Sequence, residues 1–168
     1  IESYTFFSCS ALTGIEIPNS VKSIGESVFE YCYGFTSIEI PNSVTSIGNS
    51  AFYACTGLTS VVIGNSVTSI GEDAFNMCYG LKEVHISNLT AWCGIEFENK
   101  YSNPLSNSAS LYLNGNLVTE LVIPAEGVDI YKYLSCLNQN DLTSITVADG
   151  NKVYDSRDNC NAIIETAT

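Results

Sequence analysis

The sequence has little positive charge. Six Lys and Arg residues stand against 18 Asp and Glu residues, which gives a formal net charge of −12 over 168 residues. Nucleic acids and anionic membranes bind proteins through clustered Lys and Arg side chains, so neither is expected as a partner. Long apolar runs are also lacking, because no stretch approaches the roughly 18 residues that a membrane-spanning helix needs. We therefore expect no membrane insertion.

Residues typical of catalytic motifs are scarce. His85 is the sole histidine, and the sequence contains no GxSxG, HExxH or CxxC motif. His85 could serve as a general base or a metal ligand, but an exposed strand residue is the more common explanation. The sequence thus predicts no enzyme, no catalytic residue, no cofactor and no metal site.

A targeting segment is also missing from the start of the sequence. Residues 1–10 read IESYTFFSCS, without a basic start, a long apolar run or a small-residue cleavage site. The sequence begins in the middle of a repeat, whereas a natural end would carry an atypical capping repeat. We therefore expect the first residue to be a cut through a longer array.

What the sequence does contain is an internal repeat with a strict period, whose units open at Leu12, Phe35, Leu58 and Leu81. Residues 12–34 and 35–57 are identical at 15 of 23 positions, which chance does not produce. We predict one repeat domain over residues 1–168. Its units are a partial repeat (1–11), three regular repeats (12–34, 35–57 and 58–80), an enlarged repeat (81–117), an irregular repeat (118–141) and a terminal partial repeat (142–168).

One unit contains the signals of a single coil. FTSIEI suits a short strand with one buried face, a proline with Asn-Ser ends it, and SAFYAC suits a helical turn. One unit cannot bury its own apolar face, but stacked units can. The sequence therefore predicts a leucine-rich-repeat-like solenoid of about 23-residue units, with short parallel strands stacked into a curved sheet and short helical turns on the opposite side. The predicted inward ladders are Leu12/Phe35/Leu58/Leu81, Ile15/Ile38/Val61/Val84, Ile17/Ile40/Ile63/Ile86, Val21/Val44/Val67, Ile24/Ile47/Ile70 and Phe29/Phe52/Phe75.

The enlarged repeat carries two further features. LYLNGNLV alternates on both sides of Asn114-Gly115, which predicts a β-hairpin with a type I′ turn. Trp92, the only tryptophan, lies in the same excursion as Tyr101. This excursion is either a binding loop or a bulge packed by Trp92 against neighbouring coils, and large aromatic residues more often serve the latter role.

The seven cysteines follow the repeat rather than a metal-site pattern. Four of them recur once per repeat, at Cys9, Cys32, Cys55 and Cys78. Stacked side chains that all point inward do not face one another, as a disulfide requires. We therefore predict reduced, buried thiols at these four positions. The sequence leaves open whether any of the other three, Cys93, Cys136 and Cys160, are paired.

Carboxylates offer the remaining candidates. Glu16 and Glu39 occupy one position on neighbouring strands, where like charges cost stability. They could form a site for a basic partner or a cation, or they could simply extend into water. Val62 and His85 hold the same position in the next two units. The segment from Asp155 to Asp158 resembles an acidic loop but lacks the Gly and terminal Glu of an EF-hand.

The repeat pattern resembles a known family. LxxIxIPxxVxxIGxxAFxxCxxL, visible at 35–58, is similar to the BspA-like, or treponemal-type, leucine-rich repeats of bacterial surface proteins. The wide repeat and the terminal VYDSRDNCNAIIET resemble members from gut bacteria. The resemblance implies an exported protein on the cell surface, where free thiols would fit an anaerobic habitat. Members are associated with adhesion to host matrix proteins, to other bacteria or to epithelium.

Three functions are compatible with these observations. The first is a non-enzymatic module that recognises or adheres to a host protein, a bacterial surface protein or a glycan. The second is a structural spacer that presents another domain, and the third and weakest is a glycan-directed enzyme, because no pair of carboxylates at a defined separation can be placed. We expect a monomer. The candidate ligand-binding residues are Glu16, Glu39, Val62, His85, Trp92 and Tyr101.

Overall fold

The structure is a computed structural model that describes residues 1–125, 130–138, 140–155 and 164–165. The chain winds into successive coils, and each regular coil has three sides. Two sides are formed by short parallel strands, and the third is formed by hydrogen-bonded turns. The predicted solenoid of stacked parallel strands is confirmed.

The first side is a five-stranded sheet. Its strands, numbered in chain order, are β2 (Ser37–Ile40), β4 (Ser60–Ile63), β6 (Glu83–Ile86), β8 (Ser110–Leu113) and β9 (Asn116–Leu117). The strands β2, β4, β6 and β8 are parallel, and the register pairs Ser37 with Ser60 and Ser60 with Glu83. The period of the sequence repeat is therefore the spacing between neighbouring strands. Side chains alternate between buried and more exposed along β2, β4 and β6, as expected for strands with one face on the core.

The second side is a four-stranded parallel sheet of two-residue strands. These are β1 (Ser23–Ile24), β3 (Ser46–Ile47), β5 (Ser69–Ile70) and β7 (Glu96–Phe97). The Ser side chain of each Ser-Ile pair lies toward solvent, while Ile24, Ile47 and Ile70 are buried. Strands this short persist because the sheet continues from coil to coil.

The third side consists of turns rather than α-helices in the regular coils. Phe29 N–H donates to the carbonyl of Ala51 in the next coil, whereas Cys32 N–H donates locally to Phe29. Alternate residues thus bond between coils or within a turn of i→i−3 type. This alternation needs left-handed residues at fixed points, and Tyr31, Ala54 and Met77 have φ between 55° and 61°. Helical spacing in SAFYAC therefore marks single turns that do not propagate.

The core is a continuous stack of the predicted inward ladders. Phe29, Phe52 and Phe75 are fully buried, and their rings stack at 5.3 and 5.1 Å between centroids. The first coil is the exception, because no coil of this chain covers its outer side. There, Leu12, Ile15 and Val21 are half-buried, and Cys9 is exposed rather than buried as predicted.

The regular pattern changes after β6. Strand β8 pairs in parallel with β6, and the register joins Glu83 to Ser110, a wider spacing along the chain than that from Ser60 to Glu83. The stretch predicted as one enlarged repeat therefore supplies three of the five strands of this sheet, namely β6, β8 and β9. Between them lie helix α1 (Leu89–Gly94), strand β7 and two short 3-10 helices, Lys100–Ser102 and Pro104–Asn107.

The predicted hairpin is confirmed. Strands β8 and β9 are antiparallel, with Tyr112 opposite Leu117. Asn114 and Gly115 have φ values of 51° and 81°, as a type I′ turn requires at both central residues. Beyond the hairpin lie β10 (Glu120–Ile123), α2 (Ile130–Ser135), β11 (Ser144–Val147), β12 (Tyr154–Asp155) and β13 (Ile164–Glu165). Within the described parts of the chain, no helix is both long and apolar enough to cross a membrane.

A disulfide joins the predicted enlarged repeat (81–117) to the predicted irregular repeat (118–141). Cys93 in α1 is bonded to Cys136 just after α2, with their Cα atoms 5.3 Å apart. This pairing, which the sequence left open, fixes α1 against α2. Cys9, Cys32, Cys55 and Cys78, which recur once per repeat and which we call the ladder cysteines, are unpaired. Cys160 and most of the acidic loop from Asp155 to Asp158 lie outside the described residues.

Candidate recognition surface

The outward positions of the five-stranded sheet bring three of the predicted residues together. Register pairs Glu39 with Val62, Val62 with His85, and His85 with Tyr112. We call these four residues the outer row. Their side chains point away from the core because the alternating positions Ile38, Val61, Val84 and Leu111 are buried. Tyr112 is the member that the sequence did not reveal.

The chemistry of the outer row is concentrated at His85. Its ring stacks on that of Tyr112, with centroids 5.0 Å apart and planes 25° apart. Its Nε2 atom lies 2.8 Å from Oε2 of Glu83, two residues back on the same face of the strand. A carboxylate only accepts hydrogen bonds, so Nε2 donates here. Ring and carboxylate thus hold the imidazole in one orientation, with 30% of its side chain exposed.

Apolar groups flank this polar cluster. Val62 is 38% exposed in the outer row, and Leu117 is 41% exposed opposite Tyr112. The face therefore combines an imidazole, a phenol, carboxylates and two aliphatic side chains. The inward face of the same strands holds only Ile, Val and Leu. Polar and aromatic side chains on these strands are thus restricted to the side that meets solvent.

Glutamates extend the face in the direction of the first coil. Glu39 is exposed at the first position of the outer row, and Glu16 is exposed in the segment that runs beside β2. The neighbouring threonines are already engaged. Thr59 Oγ1 donates to the carbonyl of Thr36 at 2.8 Å, and Thr36 Oγ1 donates to the carbonyl of Thr13. These hydroxyls link coils rather than offering free donors.

Trp92 does not belong to any surface, which corrects its place among the candidate ligand-binding residues. Its side chain is 1% exposed. Its Nε1 donates to the carbonyl of Cys136 at 2.6 Å, and its ring meets Phe97 edge-on at 5.4 Å. The tryptophan therefore packs α1 against the region after α2, which is the structural alternative. A buried indole with its N–H satisfied cannot contact a ligand.

Tyr101 is exposed but lies on another side of the molecule. Its carbonyl accepts a hydrogen bond from Phe75 N–H, which continues the ladder of the turn side. Lys100 Nζ lies 5.5 Å from the centroid of its ring, and 42% of the residue is exposed. Tyr101 and the outer row therefore cannot form a single small site.

Among the described residues, no group of three or more His, Cys, Asp and Glu side chains converges as a metal site would require. The Glu83–His85–Tyr112 group lies on an open sheet face. Its geometry suits hydrogen bonding and stacking with a partner.

Comparison with known proteins identifies the repeat. Residues 1–108 match the model of the BspA type leucine rich repeat region, with six copies. The chain belongs to the BspA-type leucine-rich repeat family. This confirms the resemblance seen in the sequence. No curated protein is significantly similar to this BspA-type chain.

A solved bacterial repeat structure has a similar fold. A T. pallidum leucine-rich repeat protein is 26% identical, with a TM-score of 0.56, over 73% of this chain and 55% of that chain. A leucine-rich cell surface protein from Faecalibacterium prausnitzii A2-165 is 22% identical, with a TM-score of 0.45, over 93% of this chain and 52% of that one. A leucine-rich repeat protein from Eubacterium ventriosum is 21% identical, with a TM-score of 0.39, over 74% and 35%. The chain thus spans about half the length, or less, of these relatives.

Proposed function

We propose that this BspA-type chain is a non-enzymatic recognition or adhesion module of an exported bacterial surface protein, and that the outer row is its contact surface. The partner is a host protein, a bacterial surface protein or a glycan, bound by a monomer. One observation carries the proposal. The outer row places Glu39, Val62, His85 and Tyr112 side by side on solvent-facing strand positions, each with a different chemistry.

A recognition surface needs contact area as well as polar groups. Tyr112 and His85 supply stacked rings that lose little conformational freedom on binding. Glu83 fixes the imidazole before a partner arrives, which lowers the entropic cost of association. Val62 and Leu117 add apolar area around this polar centre. Such a composition is typical of protein interfaces rather than of a surface that contacts only solvent.

A structural spacer is the alternative function. The uniform core ladders and the disulfide would serve a spacer equally well, because they stabilise the stack without involving a ligand. A spacer, however, gives no reason for a histidine that is both stacked and hydrogen-bonded on the outer face. A glycan-directed enzyme is the weakest alternative, since the family consists of repeat modules and the outer row offers an open face.

The test is a binding array of host matrix proteins, bacterial surface proteins and glycans. The His85→Ala/Tyr112→Ala double variant and Val62→Ala should lose binding while circular dichroism stays unchanged. Met77→Ala is the matched control, because Met77 and Val62 are equally exposed, at 38%, on different sides of the coil. If the wild-type chain binds nothing on the array, the spacer alternative replaces the proposal. Turnover of any glycan would instead indicate an enzyme.

A further inference from the structure

Five aromatic side chains form a connected group on the turn side of the first three coils. They are Tyr4, Phe7, Tyr31, Tyr33 and Tyr53, and we call them the aromatic cluster. Tyr31 lies at its centre. Its ring is 5.7 Å from Phe7, 6.1 Å from Tyr33 and 5.8 Å from Tyr53, measured between centroids. Tyr4 extends the group, 5.9 Å from Phe7.

Three members of the cluster are exposed to solvent, whereas Tyr31 and Tyr53 are half-buried. Tyr33 is 49% exposed although coils lie on both sides of it, and Tyr4 and Phe7 are also exposed. Core aromatics in the same coils, such as Phe29 and Phe52, are fully buried. Large aromatic side chains that touch one another at the surface are unusual in a monomer and mark contact sites. Tyr33 therefore presents area that the fold itself leaves unused.

The backbone does not require these rings. Tyr31 adopts a left-handed φ of 61°, which bulky side chains rarely do. The equivalent positions in the neighbouring coils hold Ser8, Ala54 and Met77, all with φ near 60°. Because Ser8 and Ala54 adopt the same turn with small side chains, the turn conformation does not explain tyrosine at position 31.

Negative charge borders the cluster. The Tyr4 hydroxyl donates to Oε1 of Glu26 at 2.8 Å, and this hydrogen bond is the main cause that raises the Tyr4 pKa. Burial and then the neighbouring Glu30 raise the Tyr31 pKa. Residues 1–57 contain five glutamates and one basic side chain, Lys22. Lys22 directly precedes strand β1, on a different side of the coil.

The geometry points to the aromatic cluster as a docking surface for a basic segment of another protein, one that presents Arg or Lys side chains. A guanidinium or ammonium group over the rings of Tyr31 and Tyr33 gains a cation–π interaction. Glu26 and Glu30 supply the countercharge at the border. A neutral glycan could stack on the rings but would leave this charge unused, and an anionic glycan would be repelled.

This surface is distinct from the outer row. The cluster lies on turns whose N–H groups bond to the next coil, whereas the outer row lies on the five-stranded sheet. Loss of binding at one surface therefore leaves the other testable. The proposed recognition by the outer row can fail while the docking of a basic segment stands, and the reverse also holds.

The experiment measures fluorescence anisotropy of a labelled peptide of alternating glycine and arginine, added to the whole chain. Citrulline in place of arginine gives a probe of the same shape without charge, and it should not bind. Tyr33→Ala should weaken arginine-peptide binding about three- to tenfold, as expected for a cation–π contact. Tyr79→Ala is the matched control. Tyr79 occupies the equivalent position two coils on and is 70% exposed, yet among the described residues it has no ring contact with the cluster.

A second pair of variants distinguishes a specific contact at the cluster from general attraction between a basic peptide and an acidic protein. Glu30→Gln and Glu96→Gln remove the same charge, but only Glu30 borders the cluster, because exposed Glu96 lies in β7 of the four-stranded sheet, outside both proposed surfaces. Glu30→Gln should weaken binding clearly more than Glu96→Gln. Equal effects of Glu30→Gln and Glu96→Gln, or of Tyr33→Ala and Tyr79→Ala, would overturn the proposal. So would a neutral oligosaccharide that binds in a Tyr33-dependent way while the arginine peptide does not.

Discussion

The Cys55 thiol donates a hydrogen bond to the backbone carbonyl of Phe29 in the preceding coil, at 3.0 Å from sulfur to oxygen. Cys78 makes the same contact with Phe52, and Cys32 makes it with Phe6. The cysteine of each repeat is thus a small core side chain whose weak donor satisfies a carbonyl one coil back. This contact explains why the thiols recur with the period of the repeat.

Thiol reactivity should follow position in the stack. Cys9 is exposed, whereas Cys32, Cys55 and Cys78 are buried. In native protein, we expect iodoacetamide to modify Cys9 rapidly and to leave the other three unmodified until the chain unfolds. Peptide mass spectrometry assigns each site. Rapid native labelling of Cys55 would contradict its burial, and finding any ladder cysteine oxidised before treatment would contradict the reduced ladder.

Stability should fall at alkaline pH because of the same thiols. Burial raises the pKa of Cys55 above its ordinary value and that of Cys78 to about 12, from 9.0. Between about pH 9 and 12 the unfolded chain loses these protons and the folded chain keeps them. Each thiol then lowers the free energy of unfolding by about 1.4 kcal/mol per pH unit. The stability is fully present below about pH 9.

Urea denaturation at stepped pH values measures this slope. Tyrosines and lysines titrate in the same range, so the comparison is with Cys78→Ala, whose slope should be shallower by one thiol. Identical slopes for the two proteins would show that Cys78 ionises as readily in the folded chain as in the unfolded one.

Close contact between coils should make several glycines costly to replace, and Gly48 is one of them. A Cβ atom on Gly48 would lie 2.6 Å from the carbonyl carbon of Gly25, whereas one on Gly14 would meet nothing nearer than 3.9 Å. Gly48→Ala should therefore separate two coils and cost about 1–3 kcal/mol, as overpacking does. Gly14→Ala is the control and should change stability little. Thermal denaturation of both variants decides, and equal melting temperatures would argue against the contact.

The Cys93–Cys136 disulfide should contribute strongly to stability because it closes a separation of 43 residues. Chain entropy gives about 4 kcal/mol for a loop of this size. The Cys93→Ala/Cys136→Ala variant should lose up to that amount. Trp92 fluorescence should shift to the red, because its indole N–H bonds to the Cys136 carbonyl. An unchanged midpoint and an unchanged emission maximum would indicate that other contacts hold α1 in place.

Much of the fold could be predicted because the repeat imposes equal coils. Once residues 35–57 are known to stack on 12–34, every apolar position of one unit predicts its equivalent in the next. Asn114-Gly115 predicted its hairpin because the turn is local. Aligning the repeats did not place β8 in the sheet, because its spacing to β6 departs from the period of the regular units. Leu111 was therefore not recognised as a core position, nor Tyr112 as a member of the outer row.

Contacts between distant segments could not be predicted. The partner of Trp92 is a carbonyl 44 residues away, and no local signal shows that α1 packs beside the region after α2. The same distance hid the disulfide. The left-handed turns were also missed, since Tyr31 and Met77 are not residues that indicate positive φ. The aromatic cluster follows from those turns, so its continuity emerges only in three dimensions.

The most direct test of the recognition account is site-specific photocrosslinking with benzoylphenylalanine at position 62 or at position 77. Both positions are equally exposed, on different sides of the coil. With a ligand identified on the array, we predict that the crosslinker at position 62, in the outer row, captures it and that the crosslinker at position 77 does not. Capture at position 77 alone, or at neither position, would contradict the outer row as the recognition surface.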